Sequence, residues 1–266
     1  MLKIAITGAS GRMGNALIHA LHNADDCTLS GALVRNESSL LGKDIGIHAG
    51  LDALGIAFSN DLQALVDDAD AIIDFSTPEL ALRTAVTCAR SSKPFVCGTT
   101  GLSDEEKAAL VQAAQSTPIV HAANMSIGVN LTLQLVQTAA RVLGDDYDIE
   151  ITEAHHRHKK DAPSGTALAL GEAAAQARNQ QLAECAVYDR TGERQLGQIG
   201  FSVIRAGEII GEHEVLFASA NEQITIGHKA QNRQNFAQGA IRAAHWLNGK
   251  PPALYSMQDV LNLNGG

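Results

Sequence analysis

In the run EAHHRHKK, residues His155, His156, Arg157, His158, Lys159 and Lys160 concentrate positive capacity in a chain whose formal net charge is −9. Such a cluster suits capture of a small polyanion. A histidine there offers a proton near neutral pH, and a neighbouring lysine can donate a hydrogen bond or stabilise developing negative charge, the roles a carbon-centred reduction needs. The PSGT segment that follows leads into the helical pattern ALALGEAAAQA. The amides of Gly165 and Thr166 therefore fall at a helix start, where backbone donors and the helix dipole hold a carboxylate. A dicarboxylate fits both ends of this segment. A solvated basic loop is the plainer alternative. A metal site made from the three histidines is disfavoured, because adjacent strand residues such as His155 and His156 point to opposite faces.

The second chemical signal is the spacing GxxGxxG at Gly8, Gly11 and Gly14, between the apolar run 2–7 and the helical pattern NALIHALHNA. Glycines there let the backbone turn tightly and approach a pyrophosphate, with helix-start amides facing the phosphates. The position where an acidic residue commonly holds the adenosine ribose is Val34, followed by Arg35. Loss of the carboxylate removes a ribose partner and a repulsive charge, while Arg35, with Arg12, can pair with a ribose phosphate. The spacing predicts dinucleotide binding with NADPH preferred and NADH as the alternative.

These residues need a scaffold. Short apolar runs at 2–7, 27–34, 71–75 and 94–97 alternate with helical segments, which predicts parallel strands joined by crossover helices. Helix starts are marked by Ser76-Thr77-Pro78-Glu79 and by a capping box from Ser103 to Glu106. Beyond a helix at 128–143, strands are expected at 149–155, 199–205, 214–218 and 223–227, forming a mixed or antiparallel sheet. Phe201 and Val203 alternate with Ile204, and Val215 and Phe217 with Leu216, so both faces of that sheet are partly apolar. Burying the second face calls for oligomerisation.

Composition excludes several classes. Hydrophobic residues at 45% with 24 glycines are those of an ordinary globular chain. The acidic balance argues against a nucleic-acid surface, and no apolar run reaches membrane-spanning length. The amino terminus enters a strand at once, so a cytoplasmic location is expected. Cys27, Cys88, Cys97 and Cys185 lack metal or disulfide spacing and read as free thiols. Nothing adjacent to Cys97 in sequence activates it as a nucleophile.

The motifs GASGRMG, CGTTG, AANMSIGVN and, above all, EAHHRHKKDAPSGTA resemble the dihydrodipicolinate reductase family, and the likeness runs over nearly the whole chain. The resemblance implies hydride transfer from NADH or NADPH to 4-hydroxy-tetrahydrodipicolinate with loss of water, on the diaminopimelate route to lysine, without a metal. It implies that His155 is a proton donor or acceptor and Lys159 a proton donor, and that His156, Gly165 and Thr166 hold the substrate carboxylates. Gly8, Ala9, Ser10, Gly11, Arg12 and Met13, then Gly98, Thr99 and Thr100, and Ala122, Ala123, Asn124 and Met125 would line the cofactor. Val34 stands where members using both cofactors often carry an acidic residue, and Met125 where phenylalanine is common.

The expected fold is therefore α/β, with a Rossmann-type parallel-sheet nucleotide domain at 1–125 and an α+β substrate-binding and oligomerisation domain with a mixed sheet at 126–235. The resemblance adds that 236–266 returns to the nucleotide domain and that the assembly is a homotetramer. A non-catalytic NADPH-binding regulator on the same fold, or a related Rossmann enzyme acting on another small acid, are the rival readings.

Overall fold

The computed structural model describes residues 1–263. Its chain divides into two units, Met1–Ile127 with Arg233–Gly266, and Gly128–Asn232. The end of the expected 236–266 stretch, 264–266, lies outside the described residues.

The elements alternate as the amino-terminal pattern requires: β1 Leu2–Thr7, α1 Arg12–His22, β2 Cys27–Leu33, α2 Ile45–Ala49, β3 Phe58–Ser59 and α3 Leu62–Asp68. They continue with β4 Ala71–Asp74, α4 Pro78–Arg90, β5 Phe95–Cys97, α5 Asp104–Ala113 and β6 Ile119–His121. The middle of the chain supplies α6 Ile127–Leu143, β7 Asp148–His155, α7 Gly165–Ala177, α8 Leu182–Cys185 and β8 Ala186–Val187, then β9 Ile199–Arg205, β10 Glu212–Ala218 and β11 Gln223–Lys229. The last elements are α9 Gln234–Leu247, β12 Leu254–Tyr255 and α10 Met257–Val260.

The first unit is a parallel sheet in the order β12-β6-β5-β4-β1-β2-β3. Alternation along each strand divides its core. Ile4, Ile6, Ile73, Val96 and Val120 face one layer with Leu17, Ile18 and the alanines of α9, whereas Ala5, Ile72, Phe95 and Ile119 face the other with Leu65, Ala85 and Leu110. Thr77 caps α4 with Pro78 in its first turn, and Ser103 and Glu106 form the expected capping box on α5. The strand register sets Thr7 beside Asp74 and Asp74 beside Cys97. Strands β1, β4 and β5 thus end level, and the loops that follow them meet.

The second unit is a mixed sheet, β11-β10-β7-β9-β8, antiparallel from β11 to β7 and parallel from β7 to β8. One face is closed by Val136 and Ala140 of α6 and Leu170 and Ala174 of α7, packed on Ile149, Ile151, Phe201, Val215 and Phe217. On the other face Ile204 is 47% exposed and Leu216 half-buried. Thr152, Ser202 and Glu214 share that face, so it is more polar than the expected pattern of two partly apolar faces.

The two-residue strands β3, β8 and β12 and the three-residue β6 have no period long enough to read in the sequence. All four cysteines are free and buried. Burial pushes the Cys97 thiol up to about 12, the opposite of an activated nucleophile.

Gly239 shows how closely α9 is held, since a Cβ there would fall 1.8 Å from the backbone oxygen of Met125. Alanine favours a helix by about 1 kcal/mol over glycine. The clash should outweigh that gain, so Gly239→Ala is expected to lower unfolding stability by ~1–3 kcal/mol in urea denaturation. An unchanged or raised midpoint would show that the helix does not need this close approach.

Candidate functional site

In the first unit, the turn after β1 is possible only with glycine. Gly8 has φ +74°, and a Cβ on it would lie 2.1 Å from the Phe75 carbonyl oxygen. Gly11 closes the turn by donating its N–H to the Gly8 oxygen at 3.1 Å and is the N-cap of α1, with no side-chain cap there. The helix-start donors are therefore uncapped, as a pyrophosphate requires. A Cβ on Gly14 would fall 2.3 Å from the Ala9 oxygen, which explains why helix and loop pack so tightly. Ser10, Gly11 and Arg12 are exposed, Met13 is half-buried and Ala9 is buried.

At the end of β2 the side chain of Val34 is buried in the core, while Arg35 is exposed. Gly98 donates its N–H to the Asp74 backbone carbonyl at 2.8 Å, Thr99 is buried and Thr100 exposed. Ala122 donates to the Cys97 oxygen at 3.2 Å, and Asn124 accepts from the Ser126 N–H at 2.9 Å. Ala122 and Asn124 are half-buried, Ala123 exposed and Met125 buried.

These loops converge on a residue the sequence did not single out. Asp74 is fully buried and accepts hydrogen bonds from the hydroxyls of Thr7, Ser76 and Thr99, each at 2.5 Å. Burial pushes its carboxyl up against the pull of those donors. Its short reach fixes the loops after β1, β4 and β5 to one another.

In the second unit, β7 carries Glu153 and His155 on one face. His155 Nδ1 lies 2.6 Å from Glu153 Oε2, and Arg205 of β9 forks onto the same carboxylate at 2.8 and 2.7 Å. The Ser164 N–H donates to Glu153 Oε1 at 2.9 Å. Burial would raise the Glu153 carboxyl, but the donors from Arg205, His155 and Ser164 hold it below its ordinary value. Burial lowers the His155 imidazole more than Glu153 raises it, with Lys159 and Arg205 adding to the lowering, so a neutral ring is favoured.

The strand ends at His155, and the following turn closes through the Lys159 N–H to the His156 oxygen at 3.1 Å. Lys159 pairs with Asp161 at 2.9 Å and keeps 21% of its side chain exposed. His156 Nδ1 is buried without a hydrogen-bond partner among the described residues. Ser164 caps α7 through the Ala167 N–H at 3.2 Å, Gly165 is exposed beside open space, and Thr166 is half-buried. The proposed catalytic and carboxylate-binding residues thus lie together between the end of β7 and the start of α7. The Gly8, Gly98 and Ala122 groups gather at the carboxyl ends of the parallel strands in the other unit.

Sequence reasoning missed Glu153, Arg205 and His213. His213 is buried, its Nε2 is 2.9 Å from Ser164 Oγ, and its ring centre is 5.1 Å from that of His155. Among the described residues, the His, Cys and carboxylate atoms close enough to share an ion are those of Asp26, Cys27 and His245, within 4.8 Å of one another. None belongs to this constellation.

A family model described as dihydrodipicolinate reductase, N-terminus, matches residues 2–125, and its C-terminal counterpart matches 128–261. A 4-hydroxy-tetrahydrodipicolinate reductase of Hahella chejuensis (strain KCTC 2396) is 54% identical over 266 residues, covering 99% of this chain and 100% of that protein. Among solved structures, the dipicolinate-bound dihydrodipicolinate reductase from Paenisporosarcina sp. TG-14 superposes with a TM-score of 0.78 at 23% identity, covering 97% of this chain and 98% of that one. An oxidoreductase from Agrobacterium radiobacter in complex with NAD+, L-tartaric acid and magnesium gives 0.59 at 12% identity, over 98% and 93%. At these identities the two structures speak to the fold.

His213 generates a pH prediction. Burial lowers its imidazole from 6.5 to about 4, with the His155 ring adding to the effect. The folded chain then binds fewer protons there than the unfolded chain, so this contribution to stability is lost as pH falls from 6.5 towards about 4. Chemical denaturation across that interval should show a declining midpoint, and His213→Gln should flatten the decline. Parallel slopes in variant and wild type would exclude His213 as a source.

Proposed function

The chain belongs to the dihydrodipicolinate reductase family, and on that premise we propose that it performs the NAD(P)H-dependent reduction of 4-hydroxy-tetrahydrodipicolinate to tetrahydrodipicolinate. Water is lost in the reaction, which serves the diaminopimelate route to lysine. The observation that carries this reading is the 54% identity, across its whole length, to a reductase of that name.

The cofactor fit rests on the glycine turn, whose uncapped helix start offers donors at the exposed Ser10, Gly11 and Arg12. When bound, the reduced nicotinamide supplies the hydride. Gly8 to Met13 then hold the pyrophosphate, with Gly98, Thr99, Thr100 and the 122–125 segment lining the rest of the cofactor. Buried Val34 followed by exposed Arg35 favours NADPH over NADH, because an arginine pairs with the ribose phosphate and no carboxylate repels it.

His155 moves the proton through Nε2, since Nδ1 is turned to Glu153. Lys159 leaves Asp161 to donate to the anion that develops on the substrate. His156, with its unpartnered buried nitrogen, and the Gly165 and Thr166 amides at the start of α7 hold the carboxylates. One hydride and one proton enter and one water leaves, so the reduction balances.

The protein works in the cytoplasm as a homotetramer. Support for assembly comes from apolar side chains left exposed in the second unit, Leu131, Leu135 and Val142 on α6 and Ile204 on the sheet. Among the described residues no helix is long and apolar enough to cross a membrane.

Substrate generated in place from pyruvate and aspartate semialdehyde should drive oxidation of NADPH faster than of NADH. His155→Gln and Lys159→Ala should each lower kcat by ~10²–10⁴-fold while cofactor binding persists. A wild type that binds cofactor without turnover would favour a non-catalytic binding protein. Arg35→Ala should raise KM for NADPH more than for NADH, and an equal rise would remove Arg35 from cofactor selection.

A further inference from the structure

We infer that Glu153 is a positioning residue for this reduction: its buried carboxylate, braced by Arg205, fixes the tautomer of His155 and ties the carboxylate-binding start of α7 to the same anchor. The inference rests on the reading of His155 as the proton-transfer group.

The two oxygens of Glu153 serve different partners. Oε2 meets His155 Nδ1 at 2.6 Å, while Oε1 accepts from the Ser164 N–H at 2.9 Å. An ionised carboxylate only accepts, so Nδ1 carries the proton and Nε2 keeps its lone pair. Room beside Nε2 is preserved by Gly211, where a Cβ would lie 3.1 Å from that nitrogen. Through Oε1 the same carboxylate holds Ser164, whose hydroxyl caps α7. Displacing Glu153 therefore moves both the reacting nitrogen and the amides of Gly165 and Thr166.

Arg205 makes this anchor usable. Glu153 is 1% exposed, and an uncompensated carboxylate there would either take up a proton or draw one onto His155. The guanidinium fork satisfies both oxygens, and its Nη2 also donates to the Asp161 backbone carbonyl at 2.6 Å, holding the loop that carries Lys159. The groups facing His155 are Glu153 from its own strand, Arg205 from β9, Lys159 from the loop and His213 from β10, with His228 of β11 behind His213. Arg205 and Lys159 oppose protonation of the ring and Glu153 promotes it.

Glu153→Gln tests the anchor, because an amide of the same shape can present a donor to Nδ1 and select the tautomer protonated at Nε2. Its kcat should fall by ~10²-fold or more with NADPH binding unchanged. Nitrogen NMR of the imidazoles, with His155 assigned by its loss in His155→Gln, should show the proton on Nδ1 in the wild type and on Nε2 in Glu153→Gln. Arg205→Met, which leaves Glu153 unopposed, should move the acid limb of the kcat profile to higher pH. A folded Glu153→Gln with wild-type kcat and pH profile, or a wild-type His155 protonated at Nε2, would overturn the inference. Should neither variant fold, the wild-type NMR measurement still decides it. An inactive wild type would instead reject the functional reading.

Discussion

A carboxylate removed from water must be surrounded by donors or lose its charge, and each unit of this chain arranges its functional loops around one such group. In the first unit Asp74 draws hydroxyls from Thr7, Ser76 and Thr99 to the level ends of three parallel strands. In the second, Glu153 draws His155, Ser164 and Arg205 from a strand, a helix start and a neighbouring strand. The two devices differ in charge. Among the described residues the donors to Asp74 are neutral, and burial raises its carboxyl, whereas the guanidinium beside Glu153 helps hold that carboxyl below its ordinary value.

This difference suits the chemistry assigned to each unit. Loops around a phosphate-bearing cofactor need fixed geometry, which Asp74 supplies through its hydrogen bonds to three hydroxyls. A proton-transfer histidine instead needs one nitrogen fixed and its proton affinity limited. For the role proposed for His155, the Glu153–Arg205 pair meets both needs: the carboxylate lies against Nδ1 while the guanidinium and Lys159 counter its pull on the proton. The role proposed for this buried charge is orientation, since desolvation offsets much of the attraction within an ion pair out of water.

What the sequence reveals is what lies close together in it. The Gly8, Gly11 and Gly14 turn, the caps at Thr77 and Ser103, and the strand at 199–205 were legible because a local period or a turn residue marks each of them. The His155 to Thr166 segment was legible because its groups are consecutive. Arg205 and His213 were not, because they join Glu153 and Ser164 only through strand pairing across 52 and 49 residues. Thr7 and Asp74 were equally hidden, as ordinary strand-end residues whose meaning comes from register. At the position where the sequence places the ribose contact, the Val34 side chain packs in the core and the Arg35 side chain is exposed, a difference in burial that the residue types alone do not reveal.

Hydride transfer from a nicotinamide to a cyclic dicarboxylate is the step on which the proposed function turns. It is tested most directly by supplying NADPH deuterated at the transferable position of the nicotinamide and following the label by mass spectrometry. The deuterium is expected to appear in tetrahydrodipicolinate, in proportion to the NADPH consumed. Product that forms without the label, or cofactor that is consumed without labelled product, would contradict it.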